Sequence, residues 1–460
     1  MTGRPKELGA PLSAGDGFAA AREPDGSSAP FTPPEHRGRI FALLCVGIFC
    51  GQSGLSIIYP FFPKEAALKG VNLEVLGWMF SIFELAVLIF TPLAMRAVVI
   101  MRVKPVLVLG NVVGGVGNIV FGLCWYLDAG LEFTLIAFVM RIIAGIAFAM
   151  SSTTSFSLLP CLFGENVSSA NGNLEAVNGI AMILGPIVGS LFFSLGGGSN
   201  RLGFVLPFLA LGILELAFGL ANLVLLPPLP LPPDSHPSLR SFSWKAIVPV
   251  GVCIVTGINL GLLGPTLEPH LSQAPLSYSI PMVGWVFGGC SAVYAAFTPI
   301  AGALDDYMAG RSAVAMMAFG CLTSGVGYGM LSPIPWTSYG RHLELTPFLC
   351  WTGCAFLGMG CSFSLIPVYK NILKYAHHEE AQERELATAA LFTMAMSAGS
   401  FVGPPLGGIL SNHFGVRVAY ALSAVSLIIL GVVLAVLSAL PTFQRQQDGA
   451  RAALVTPSIA

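Results

Sequence analysis

The sequence predicts an all-α membrane protein with twelve transmembrane helices in two pseudo-symmetric six-helix halves. Three observations carry that reading. Of 460 residues, 55% are hydrophobic and only 10% charged, with a mean hydropathy of +0.78; a soluble domain carries about 25% charged residues. Apolar segments of about 20 residues follow one another along the chain, each long enough to cross a bilayer as a helix. Short phrases also recur half a chain apart. Thr91–Ala94 (TPLA) returns as Thr298–Ala301 (TPIA), an offset of 207, and Gly185-Pro186 returns as Gly403-Pro404, an offset of 218.

Residues 1–38 are rich in Gly, Pro, Ala and Ser without periodicity, and are expected to be a disordered cytoplasmic tail. The first half, 39–226, holds spans expected near 40–62, 75–97, 104–126, 133–159, 169–195 and 204–226. Residues 227–245 open with PPLPLPPDSHP and are expected to form an extended cytoplasmic linker, with an SH3-type PxxP ligand as the alternative. The second half, 246–441, holds spans expected near 246–268, 281–303, 312–332, 346–369, 386–411 and 418–440, and 442–460 form a second cytoplasmic tail.

The repeated phrase shapes two of these spans. AMILGPIVGS (Ala181–Ser190) and GSFVGPPLGG (Gly399–Gly408) each place Gly-Pro inside a helix-length apolar segment. Proline frees a carbonyl and bends the axis. Small residues let a neighbouring helix approach closely. Gly185, Pro186 and Gly189, and likewise Gly403, Pro404, Gly407 and Gly408, are therefore expected to be kink and packing positions.

Lysine and arginine placement orients the bundle. With both termini cytoplasmic, sixteen of the 22 basic residues lie in inner loops and tails, while Lys64, Lys69, Arg201, Arg341 and Arg417 lie outside and Arg141 falls within a span. The Asn166-Val167-Ser168 sequon then faces the cytoplasm. The net charge of −1 gives no basic field for nucleic acid. The ten cysteines are scattered without metal-ligand spacing and read as packing residues.

Ionisable groups at bilayer depth are costly and mark function by default. Four stand out in the first half: Glu84, Arg141, Glu175 and Glu215. Glu84 shares a helical stripe with Gly77, Ser81 and Thr91; Glu175 shares one with Gly172, Gly179, Met182, Pro186 and Gly189; Glu215 lines up with Gly212, Gly219 and Asn222. The second half places Thr393 and Ser291 where Glu175 and Glu84 would repeat. Glu84, Glu175 and Glu215 are thus candidate substrate- or proton-binding groups, with Arg141 as the coupling residue. A structural reading stands beside each: Glu84 as a protonated hydrogen-bond donor, Glu175 and Glu215 reaching water near span ends, Arg141 locking the bundle through a carboxylate.

Duplicated six-helix halves, a central loop and Gly-Pro kinks in the fifth and eleventh spans resemble the major facilitator superfamily. Arg141-xxx-Gly145 is similar to that superfamily's fourth-helix motif, and Gly302-Ala-Leu-Asp305-Asp306 resembles its cytoplasmic gating motif, which implies a gating role for Gly302, Asp305 and Asp306. The stretch PLAMRAVVIMR after the second span carries no matching Asp. Shorter strings, PFFPKEA at 60–66, FEL at 83–85, ENV at 165–167, LE at 174–175, PTL at 265–267 and SLIP at 364–367, resemble the vesicular amine transporter family, and within it the polyamine branch. Monoamine members carry an acid where this chain has Gly264.

The expected function is proton-coupled antiport of an organic cation, an amine or polyamine, by alternating access, in an intracellular vesicle membrane rather than the plasma membrane. Tyr59, Phe83 and Tyr294 are candidate cation–π partners. The expected partners are a cationic small molecule, protons and lipid, acting on a functional monomer with no cofactor and no metal. Two alternatives remain open: a facilitator or exchanger of a neutral or anionic metabolite, and a non-transporting receptor or scaffold. An enzyme is not expected, because no nucleophile–base pair or phosphate-binding loop is present.

Overall fold

The computed structural model describes residues 34–128, 130–163, 167–227, 242–308, 313–332, 344–376 and 381–440. Within them run twelve long helices and a short one: α1 (Pro34–Ser56), α2 (Phe62–Leu68), α3 (Leu73–Met101), α4 (Val103–Leu123), α5 (Leu131–Phe163), α6 (Val167–Leu195), α7 (Arg201–Leu225), α8 (Ile247–Ser272), α9 (Ile280–Tyr307), α10 (Ala313–Leu331), α11 (Pro347–Lys374), α12 (Ala381–Phe414) and α13 (Val416–Ala439). Eleven of the long helices are long and apolar enough to cross a membrane. The twelfth, α12, opens on the polar stretch AQERE before turning apolar, and it packs against α3 and α8. Most of the expected linker (228–241), Asn166 of the sequon and residues 441–460 lie outside the described residues, as do the side chains of Glu175 and Asp306.

Helix ends follow local chemistry. The side chains of Asn72, Asn200 and Thr346 accept hydrogen bonds from the backbone amides of Val75 (2.8 Å), Gly203 (2.8 Å) and Leu349 (3.3 Å), capping α3, α7 and α11. The first span was expected to run from 40 to 62, but α1 starts at Pro34 and stops at Ser56. Residues 57–61 form a turn containing Pro60, and the chain re-enters a helix with Pro63 in the first turn of α2, where its missing N–H costs nothing.

The packing repeats between halves. In the first, α1 lies on α6, α3 on α5, and α4 on both α5 and α7. In the second, α8 lies on α12, α9 on α11, and α10 on both α11 and α13. The halves join along two seams, α3 against α12 and α6 against α9, which the same pseudo-symmetry exchanges. The Gly-Pro helices use their small residues alike. A Cβ at Gly189 would stand 2.4 Å from the Ile57 carbonyl oxygen of α1's end, and one at Gly403 would stand 2.2 Å from the Ile258 carbonyl oxygen of α8.

The connections at 57–72, 124–130, 196–200, 273–279 and 415 share one end of the bundle, here called the short-loop end. An aromatic cluster, including Phe61, Phe62, Phe121, Phe133, Phe193, Phe204 and Phe208, fills the first half there. Tyr59 packs against both that cluster and the second half's own core.

Candidate functional site

Glu84 lies on the face of α3 that meets α12. Along that face the Ser81 hydroxyl donates to the Phe401 carbonyl, and a Cβ at Gly77 would stand 2.4 Å from the Pro404 carbonyl oxygen. One turn further, the Ser397 side chain of α12 lies beside the Glu84 carboxyl. An acid of one half is therefore met by a hydroxyl of the other. Thr91, expected on the same stripe, is satisfied within its own helix by the Val87 carbonyl (2.6 Å).

Arg141, in the middle of α5, is only 3% exposed. Its guanidinium lies 4.7 Å from the centroid of the Phe83 ring, and Nη1 donates to the Gly54 carbonyl of α1 at 3.3 Å. Its Nε and Nη2 have no hydrogen-bond partner. The charge of Glu84 and the phenol of Tyr59 lie within electrostatic reach. A buried cation is tolerated only with such compensation. Tyr59 completes the group, its ring 5.6 Å from Phe80 of the first half and 5.4 Å from Phe287 of the second. Tyr59, Glu84, Arg141 and Ser397 thus converge where the halves meet, and sequence spacing alone had not singled out Ser397.

Glu215 is placed elsewhere. It is buried between α7 and α4, accepting a hydrogen bond from Asn118 Nδ2 at 2.8 Å. Gly114 makes the room, since a Cβ there would stand 2.3 Å from a carboxyl oxygen of Glu215. Its stripe partners Gly212 and Gly219 also face α4. The acid is enclosed within the first half, one helix removed from the seam. Glu175 belongs to α6, on the other seam, but its side chain lies outside the described residues.

Of the expected gating group, Asp305 is buried at the end of α9 and pairs with Lys370 of α11 at 3.5 Å. Gly302 has open space beside it. In the corresponding core of the second half the Tyr328 hydroxyl donates to the Asn259 carbonyl, and Thr266 donates to Tyr420 at 3.1 Å. Two acids not expected as site residues, Glu65 on α2 and Glu268 on α8, are both buried at the short-loop end. The signal available for Glu65 was its position inside the apolar run PFFPKEA.

The Major Facilitator Superfamily sequence profile matches residues 44–252 and again 250–459. The chain belongs to the Major Facilitator Superfamily. It is a multi-pass membrane transporter, and its relatives are transporters rather than enzymes. It is 30% identical over 441 residues to the MFS-type transporter SLC18B1 of Mus musculus, covering 93% of this chain and 92% of that one. The Homo sapiens SLC18B1 is 30% identical over 410 residues, 87% of this chain and 86% of that one. These relatives bear out the family resemblance drawn from the short strings. Among solved structures, this facilitator resembles a bacterial homologue of the human lysosomal transporter Spinster. In that protein's inward-facing, occupied form the TM-score is 0.68 at 12% identity, covering 91% of this chain and 98% of that one. In its unoccupied form the TM-score is 0.64 at 14% identity, covering 93% and 100%. At such identities the likeness speaks to the fold.

Proposed function

We propose that this facilitator is a proton-coupled antiporter of organic cations, an amine or polyamine, that works by alternating access. The observation that carries the reading is the Glu84 carboxyl at the seam, beside Ser397 of the opposite half and within electrostatic reach of the Arg141 cation. A carboxylate there serves as the counter-charge for an ammonium; protonated, it holds none. The two ligands therefore compete for one group, and competition couples their fluxes. Because Ser397 and Glu84 belong to different halves, occupancy of the carboxyl also biases how the halves sit against each other.

Arg141 tunes that competition by attracting the ionised carboxylate whenever the halves bring the two together. Tyr59, between the halves, offers a ring face to a cation, worth about 0.5–2 kcal/mol. Glu175 is proposed as the second acid on the α6 side, and Glu215 as an enclosed proton acceptor of the first half. Gly302, Asp305 and Asp306 are proposed to gate the opposite end. The vesicle membrane, cytoplasmic termini and a functional monomer complete the proposal.

The test is flux in liposomes. With an imposed pH gradient, wild-type protein is expected to accumulate labelled spermidine against its gradient, while Glu84→Gln folds normally but loses the gradient-driven component. Uptake of spermidine that ignores the pH gradient, or an unaffected Glu84→Gln, refutes the reading. A second reading draws on the two unpartnered guanidinium nitrogens of Arg141, Nε and Nη2, which suit an anionic metabolite. It predicts that a labelled organic anion is carried instead and that Arg141→Lys loses it.

A further inference from the structure

Glu65 is fully buried (0% exposed), and neither of its carboxyl oxygens has a hydrogen-bond partner. It sits on α2, which packs against α8 of the opposite half. Facing it from α8 is Glu268, 2% exposed and close enough for the two charges to repel. The other groups around the pair are few. Lys64, exposed on α2, lies within electrostatic reach of both acids; the Ser199 hydroxyl from the α6–α7 turn approaches Glu65 without reaching good hydrogen-bond geometry; the Ser272 hydroxyl, which donates to the Pro269 carbonyl at 3.5 Å, lies near Glu268. His270, two positions beyond on α8, faces away to the Leu331 carbonyl at 2.9 Å and the Tyr420 ring.

A carboxylate sealed from water with no donor to stabilise it must either take up a proton or leave its burial. Burial holds the Glu65 carboxyl above the usual carboxylate range, outweighing the opposing pull of Ser199 and Lys64. Ionising Glu65 while the halves touch would place an unpartnered charge within electrostatic reach of Glu268. The contact they sit in closes the short-loop end, beside the Tyr59–Phe287 ring contact and the Gly284 approach to Ser190.

We propose that Glu65 and Glu268 form a second proton-binding site, shared between the halves, whose protonated form holds the short-loop end shut and whose ionisation releases it. The site is separate from Glu84 and does not depend on which substrate is carried. Protons bind when that end closes and leave when it opens, so opening is linked to the pH of the compartment that end faces.

The experiment places spin labels at Leu68→Cys and Gln273→Cys, exposed positions on opposite halves of that end, in the full chain reconstituted in lipid nanodiscs. The inter-label distance distribution is measured as pH is raised. The ratio of open to closed forms is expected to rise by up to about tenfold per pH unit for one linked proton. In Glu65→Gln/Glu268→Gln, neutral at every pH, the short distance is expected to persist throughout. In Glu84→Gln the pH response is expected to remain, which separates this site from the transport proposal. A distribution that ignores pH in the wild type, or a pH response that survives in the double glutamine variant, overturns the proposal. Melting temperature at low pH, expected to match the wild type in the double variant, shows that the variant is folded.

Discussion

Replacing Gly403 by Ala adds one methyl group at the closest helix crossing of the second half. The new Cβ would lie 2.2 Å from the Ile258 carbonyl oxygen and 3.0 Å from its carbon and from the Leu262 nitrogen. All three are backbone atoms, so no side chain can swing aside. Restoring ordinary contact requires α12 and α8 to part by about 1 Å, which breaks close packing along the α8–α12 contact. Overpacking of this kind costs about 1–3 kcal/mol. Alanine recovers about 0.8–1 kcal/mol of helix propensity, leaving a net loss of about 0–2 kcal/mol, at the upper end because the obstruction is rigid. Gly302→Ala is the matched control, since no atom lies within 4 Å of its added Cβ and only the propensity gain remains. Thermal unfolding in detergent, followed by loss of the monodisperse peak, is expected to place Gly403→Ala several degrees below wild type and Gly302→Ala at or above it. Equal melting temperatures for the two variants would refute the claim that the repeated phrase exists to let α12 approach α8.

Further outcomes follow from the polar groups. Ser397→Ala removes the hydroxyl that the opposite half places beside Glu84 and is expected to slow spermidine exchange several-fold while leaving the melting temperature within a degree or two. Asn118→Ala leaves the buried Glu215 carboxyl without its 2.8 Å donor, costing about 1–3 kcal/mol of stability; because the donor favours the ionised carboxylate, the pH dependence of transport, measured in liposomes, is expected to change. Because the native Glu65 carboxyl titrates above the usual range, the folded protein binds more protons than the unfolded chain above about pH 4.3. Its contribution to stability is therefore full below that pH and is lost as pH rises through the native value. Melting temperature measured across that window is expected to fall, and Glu65→Gln is expected to flatten the slope.

The architecture was legible because its cause is one-dimensional. A bilayer demands about 20 apolar residues per crossing, and duplication leaves repeats at a readable offset. The seam partners were less legible. Glu84 stood out as an acid in a hydrocarbon-length segment, yet its partner Ser397 lies 313 residues away and is an ordinary serine by composition. Glu215 carried the same kind of signal, but the structure encloses it between α4 and α7, because a stripe of small residues marks close packing without saying against which helix. Glu65 was hidden by the proline-rich break that ended α1 early, which a hydropathy window reads as one continuous span.

By itself, then, the chain's order of residues determined the number of crossings, the two-half plan, the Gly-Pro packing helices and the scarcity of charge within them. Tertiary structure alone decided which charges meet: Glu84 with Ser397 and Arg141 at one seam, Glu65 with Glu268 at the closed end. The physical reason is range. Insertion into lipid depends on each segment's own composition, whereas the pairing of buried polar groups depends on contacts between helices hundreds of residues apart, fixed by how the two halves close on each other.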